Sequence, residues 1–474
     1  MEANEQKTTN AYEEMEKHES DSKPNEEHKT QPNAATTNGK TRGASSTSTN
    51  MEEVLEQVGE FGQYQIVMSV ILSLMVLALA FHPAIMYFVT LTPTWRCAPN
   101  SRVCTSNLTF QPHNMTRCGL ARAEWTYTQP PEYSLVTQFE LDCDRAWFIN
   151  FLTSVFFVGW SIAGVPIGIL ADNHGRKPVL MVCLLVHLSA GLLAAFVKNL
   201  HLFAVTRFVL GASVPGVMNQ AVMISAEFVT HRWRPYTLGA LAIGFIIGLL
   251  MLALIAYFVN AWSTVYIFSS APFLLLLLFY RFIPESFRWC RVKGKLDRAR
   301  ANLKTMAHWN GNSLRDDFEI TPVSADKKAT SVLSLFRSQR MAVRTVVLSM
   351  VWVTMGVIYY GIILTADDLG QGFYLDFVLI NLATLPATFV GTFFLDYFGR
   401  KRTVVLSKFF GACLCASIAL VPRVGGVRVW RTVLAVSGKV FFHMSTSGMY
   451  TLCLSSAESL NSTALSRSKH CIEK

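Results

Sequence analysis

Two short charged segments carry the chemistry that stands out in this chain. The first reads Gly168-Ile169-Leu170-Ala171-Asp172-Asn173-His174-Gly175-Arg176-Lys177. Its D-x-x-G-R-K core recurs as Asp396-Tyr397-Phe398-Gly399-Arg400-Lys401. Glu227 with Arg232 or Arg234, and Glu285 with Arg288, place the same charge types beside other apolar stretches. Carboxylates near guanidiniums make and break ion pairs; they do not make covalent bonds. The same residues would also serve as ordinary solvated loop charge. No nucleophile–base pair, metal-ligand box or phosphate loop stands out, so the sequence does not read as an enzyme and implies no cofactor or metal.

These segments join long apolar runs. The chain has 474 residues, 51% of them hydrophobic and 16% charged; ordinary soluble domains carry about 25% charged residues. Ten runs of about twenty residues are long enough to cross a bilayer. They lie near 66–88, 147–170, 179–197, 203–226, 237–258, 264–283, 344–365, 374–395, 404–422 and 429–454. Backbone in lipid must satisfy its own hydrogen bonds, so the expected fold is all-α and polytopic, with the bilayer as its main partner. A charged loop repeated in each half points to a carrier built from two similar helical bundles.

The formal charge of +10 is unevenly spread. Residues 1–60 hold 6 Lys/Arg against 13 Asp/Glu, whereas 284–343 alone holds 12 Lys/Arg. The basic residues cluster in alternate loops. That is the positive-inside pattern of a membrane protein, with a cytoplasmic N-terminus, and it argues against nucleic-acid binding.

The boundaries follow. Residues 1–60 form an acidic tail, disordered by composition, that ends in a short amphipathic helix at the membrane surface. Residues 61–283 form a six-helix bundle, 284–343 a basic cytoplasmic linker with Ala299, Leu303 and Met306 at helical spacing, 344–454 a bundle of four helices, and 455–474 a tail. The loop 89–146 is too long for a connector. It holds Cys97, Cys104, Cys118 and Cys143, which allow two disulfides in three pairings, and glycosylation sequons at Asn107 and Asn114.

Ionisable and aromatic residues inside the spans are the candidates for binding. Lys439 lies deep in the tenth run. Arg207 stands near the start of the fourth, where its head can snorkel to the interface. His82, His187 and His443 could bind substrate or simply pack, and Asp376 could be a ligand or a helix-start charge. Ring faces attract organic cations and flat apolar bodies; Trp352, Tyr359, Tyr360 and Tyr374 are the foremost candidates, with Phe156, Phe157 and Trp160 behind them. Each could equally face lipid. Gly168 and Gly175 would let helices approach closely.

The D-x-x-G-R-K loop resembles that between the second and third helices of the major facilitator superfamily. Four further segments narrow the resemblance: Thr137–Trp147 at the end of the outer loop, Pro284-Glu285-Ser286-Phe287-Arg288-Trp289, Tyr374-Leu375-Asp376-Phe377, and Gly438-Lys439 with Ala457-Glu458. Over about 51–459 the chain resembles the organic cation, anion and zwitterion transporter family. The resemblance implies a major facilitator fold of twelve helices, plasma-membrane residence, and uniport or exchange of small organic ions by alternating access. It also gives Asp172, Arg176, Lys177, Asp396, Arg400 and Lys401 the role of a cytoplasmic latch, with Gly175, Glu227, Arg232, Glu285 and Arg288. Where cation-type members carry an acid before the proline of the eighth span, Thr384 stands before Leu385-Pro386. The overall pattern resembles the cation subgroup slightly more, whereas Lys439 leans to anions but looks like a residue common to members of both charge types. After Ala457-Glu458 the family continues with two more helices, so a six-plus-four chain reads as shortened, and a non-transporting isoform is the rival expectation.

Overall fold

Helices pair their backbone groups within the segment, and the apolar runs are mainly helical over their described residues. The computed structural model describes residues 51–99, 117–314, 320, 336, 339–364, 373–421 and 428–444. Among the described residues, nine helical stretches are long and apolar enough to cross a membrane. The tail 1–50, the sequons at Asn107 and Asn114, Cys104 and the tail 455–474 lie outside them.

The chain enters through α1 (Met51–Val58), which buries Val54, Leu55 and Val58. That apolar face meets the linker helix α11 (Leu296–Trp309), which buries Ala299, Leu303, Met306 and Ala307 in return. Asn310 ties the junction. Its Nδ2 donates to Val58 O at 3.1 Å, and its Oδ1 accepts from Tyr64 N at 3.1 Å. A Cβ on Gly62 would sit 2.2 Å from that Oδ1, so only glycine fits.

The first span comprises α2 (Gln63–Leu79) and α3 (Phe81–Val89), interrupted at Ala80. Pro83 has no N–H to offer the Leu79 carbonyl, which weakens the helix there. In the loop after α3, β1 (Trp95–Cys97) pairs antiparallel with β2 (Trp125–Tyr127). Cys118 is bonded to Cys143, and Cys97 is also disulfide-bonded. The loop is seated on the first bundle by α4 (Leu135–Phe139), where Trp262 Nε1 donates to Gln138 Oε1 at 2.6 Å.

The bundle continues with α5 (Trp147–His174), α6 (Arg176–Phe196), α7 (Leu200–Glu227), α8 (Arg234–Phe258) and α9 (Trp262–Leu278). Helices α5 and α7 cross backbone to backbone. A Cβ on Gly211 would lie 1.9 Å from Phe156 O, and one on Gly159 would lie 2.3 Å from Phe208 O. Short α10 (Phe287–Val292) leads into α11.

The second half holds α12 (Gln339–Leu364), α13 (Phe373–Leu382), α14 (Thr384–Phe398), α15 (Arg400–Ser417) and α16 (Arg428–Met444). The expected continuous eighth span, 374–395, is two helices that break at Ala383, just ahead of Pro386. The rest of the expected tenth span, 445–454, lies outside the described residues. Helix α8 packs against both α13 and α14 and joins the halves. Tyr374 donates its hydroxyl to Ala256 O at 3.3 Å, near the C-terminal end of α8.

Candidate functional site

The turn between α5 and α6 brings the first charged segment together. Gly175 has φ +114°, a conformation side chains rarely adopt, and a Cβ there would meet Glu285 Oε2 at 2.2 Å. Glu285 Oε1 accepts from Arg176 N at 2.8 Å and Lys177 N at 3.4 Å. A carboxylate thus satisfies the orphan N–H groups and the positive dipole end at the start of α6. Arg176 pairs with Asp172 and reaches Glu227 Oε1 at 3.8 Å. Trp289 Nε1 donates to Asp172 O at 2.9 Å. Lys177 Nζ lies 4.1 Å from the Tyr280 ring centre.

The partners differ from those the sequence suggests. Glu227 pairs with Arg176 in place of Arg232 or Arg234, and Arg232 is exposed beside Trp233. Arg288 reaches past Glu285 to Glu52 Oε1 on α1 at 2.8 Å. Arg234 and His231 Nε2 each lie 3.6 Å from the same oxygen. All of these groups belong to the first half, its linker and α1. Gly168 meets nothing within 4 Å, so the close approach expected there is absent. In the second copy Gly399 repeats the turn of Gly175 with φ +80°, and Lys401 is exposed. The side chains of Asp396 and Arg400 lie outside the described residues.

Burial pushes the Glu52 carboxyl up, but the Arg288 hydrogen bond and the charges of Arg288, His231 and Arg234 outweigh it and hold the group below its usual range. A depressed carboxylate contributes stability that is present above its ordinary pKa and lost as pH falls through the folded value. Glu52→Gln is therefore expected to cost about 1.5–3 kcal/mol at neutral pH, the worth of a charge-assisted bond. Thermal melts of purified variant and wild type should converge once pH has fallen through the lowered folded value; a gap that persists unchanged in acid would remove the ionic account.

A second site lies in the other half. Lys439 stands eleven residues into α16, about 16 Å along its axis at 1.5 Å per residue. It is 1% exposed. Its Nζ donates to Asn381 Oδ1 at 2.9 Å and sits 4.6 Å from the Tyr359 ring centre. Asn381 Nδ2 donates to Phe377 O at 2.7 Å, and Thr384 Oγ1 donates to Asn381 O at 2.5 Å. The broken eighth span thus places an amide beside the buried lysine, and the Thr384 hydroxyl satisfies the Asn381 carbonyl locally.

The other sequence candidates of this half lie on α12 and α13. Tyr360 meets Phe157 of α5 at 4.7 Å, so α12 touches the first bundle. Trp352 is half-buried two turns before Tyr359. Asp376 is fully buried in the first turn of α13. Phe88 packs on Phe373, Tyr374 and Phe377 at 5.4, 5.6 and 4.9 Å, an aromatic seam between the halves.

A third polar group is internal to the first bundle. Arg207 does not snorkel: it is 0% exposed. Its Nη1 donates to His82 O at 3.1 Å and Tyr266 Oη at 3.5 Å, and its guanidinium lies 4.5 Å from the Phe156 ring centre. His82 Nδ1 is 3.1 Å from His187 Nε2, and His187 Nδ1 is 2.7 Å from Ser213 Oγ. These histidines are hydrogen-bonded packing residues that bind four helices together. Sequence reading misses Asn381, an uncharged amide, and Phe88, one of 32 phenylalanines. Among the described residues no group of three or more potential metal ligands assembles.

Comparison with known proteins agrees with this architecture. The family described as sugar (and other) transporter matches residues 105–464. Organic anion transporter 3 of Sus scrofa is 28% identical over 421 residues, covering 82% of this chain and 77% of that protein. Organic cation transporter 1 of Caenorhabditis elegans is 29% identical over 409 residues, covering 78% and 70%. Among solved structures, the proton:xylose symporter XylE of the major facilitator superfamily, bound to 6-bromo-6-deoxy-D-glucose, aligns with TM-score 0.58 at 17% identity, over 83% of this chain and 82% of that one. That likeness gives the fold: a major facilitator architecture of two helical bundles.

Proposed function

This chain belongs to the sugar (and other) transporter family, and on that footing we propose that it carries small organic ions across the plasma membrane by alternating access, with its N-terminus in the cytoplasm. The similarity to organic anion and organic cation transporters supports the substrate class. The loop charges support the orientation.

One observation weighs on the sign of the substrate. Lys439 is a buried ammonium whose partners among the described residues are a neutral amide and a neutral ring. A buried lysine with no counter-ion among the described residues carries its charge at a cost, and an anionic ligand relieves that cost. We therefore place organic anions ahead of cations, with the substrate's carboxylate or sulfonate against Lys439 and its apolar body along Tyr359 and Tyr360. The test is uptake by cells that display the chain at their surface, with a labelled aromatic anion beside a labelled aromatic cation. Saturable entry of the anion supports the reading. Entry of the cation alone reverses the sign, and entry of neither removes the transport proposal for this polypeptide.

The cytoplasmic cluster supplies the moving part of this proposal. Asp172 and Glu227 hold Arg176 where α5, α6 and α7 end, so loosening them would change how the inner ends of the helices pack. Asp172→Asn is expected to lower the maximal uptake rate about 3- to 10-fold, the effect of losing about 1 kcal/mol from one conformational step. Surface delivery should stay unchanged; uptake at the wild-type rate would rule out a part for this pair in the cycle.

A further inference from the structure

We propose that Asn381 sets the charge class of the substrate by denying Lys439 a counter-ion. This rests on Lys439 as the group that meets the substrate. The geometry leaves the amide one orientation. Its Nδ2 is committed to Phe377 O at 2.7 Å, so Oδ1 is the atom presented to Lys439 Nζ at 2.9 Å. Both side chains are 1% exposed. The amide oxygen satisfies one of three ammonium donors, and the Tyr359 face offers a second contact, but neither cancels the charge.

A carboxylate differs from this amide by one atom. Aspartate at 381 would place a negative oxygen where Oδ1 now lies, and the pair would become a neutral buried ion pair. A substrate anion would then have to break that pair and leave a carboxylate buried alone. Asparagine gives the same hydrogen bond without the competing charge, so the positive potential stays available. The break at Ala383 is part of the device. It ends α13 one turn after Phe377, where the amide can bond back to the helix and still reach α16, and Thr384 holds the Asn381 carbonyl at 2.5 Å. Asn381 is thus a positioning residue and a charge filter, acting on substrate through Lys439.

The test uses the purified full chain in lipid nanodiscs and reads ligand-dependent thermal stabilisation, with naphthalene-2-sulfonate as anion probe and benzyltrimethylammonium as cation probe. Wild type should be stabilised by the sulfonate. Asn381→Asp should bind it about 10- to 100-fold more weakly, the loss of a charge-assisted contact, and should gain or keep affinity for the ammonium probe. Asn381→Ala should retain sulfonate binding within a few-fold; an equal loss in Asn381→Ala and Asn381→Asp would make the residue a mere structural support and overturn the inference. If Asn381→Asp does not fold, the exchange Asn381→Lys with Lys439→Asn keeps the net charge of the pair. Retained sulfonate binding there supports the filter, and lost binding refutes it. Sulfonate binding that is equal in wild type and Asn381→Asp sinks the inference alone. A wild type that binds neither probe, or only the ammonium, sinks the anion reading with it.

Discussion

Gly211→Val is expected to abolish stable assembly of the first bundle, with thermal unfolding of purified protein lowered by well over 10 °C or surface protein lost. Even alanine's Cβ would fall 1.9 Å from Phe156 O. That obstacle is backbone, so no rotamer change relieves it, and α5 and α7 must separate. Overpacking a core costs typically 1–3 kcal/mol when side chains can shift; here the crossing itself must move, which puts the cost at or above the top of that range. Separation also draws Phe156 away from the Arg207 guanidinium, now 4.5 Å from its ring centre. Gly164→Ala is the control. Gly164 sits in α5 with nothing within 4 Å of a built Cβ. Its replacement should be neutral or stabilise by up to about 1 kcal/mol through helix propensity. Melts that coincide for the two variants would show that α5 and α7 do not cross this closely.

The contrast between those two glycines marks how far sequence reading reaches. Runs of apolar residues reveal helices because a bilayer leaves the backbone no other solution. Nothing in the local sequence says which glycine faces a neighbouring helix, since that depends on crossing points set by the whole bundle. The break at Ala383 is equally hidden. Hydropathy is averaged over a window longer than a one-residue interruption. Proline is tolerated inside transmembrane helices, so Pro386 does not by itself mark a break.

The charged site is legible by residue type and not by partner. Asp172, Arg176 and Lys177 announce themselves as a repeated motif, and Lys439 as an intramembrane charge. Sequence spacing proposes only near neighbours, so it matches Glu285 with Arg288. The acceptor that Arg288 finds is Glu52, 236 residues away. Arg207 reads as an unusual charge, yet its position near a span's start assigns it to the interface. Its burial comes from Phe156, Tyr266 and the His82 carbonyl on three other helices. Asn381 gives no signal, since an uncharged amide is common enough in a long helix to pass unnoticed.

Lys439→Met should separate function from stability more cleanly than any other single change. Methionine fills a similar volume, so packing against Tyr359 is largely kept. The change removes a buried charge and strands the Asn381 Oδ1. The first effect stabilises, the second costs about 1–3 kcal/mol, and the two offset because a buried ion is often replaced by an apolar group with little net loss. Melting temperature should therefore stay within a few degrees of wild type. Uptake of an organic anion should fall about 10- to 100-fold in kcat/KM, equal to the 1.5–3 kcal/mol of a charge-assisted contact. Lys439→Arg keeps the charge and should recover part of that loss, although a planar guanidinium cannot reproduce a point ammonium. Anion uptake undiminished in Lys439→Met, with the protein at the surface, would move the substrate away from this lysine. A collapse of stability and uptake together would instead make Lys439 part of the scaffold, held by Asn381 for packing alone.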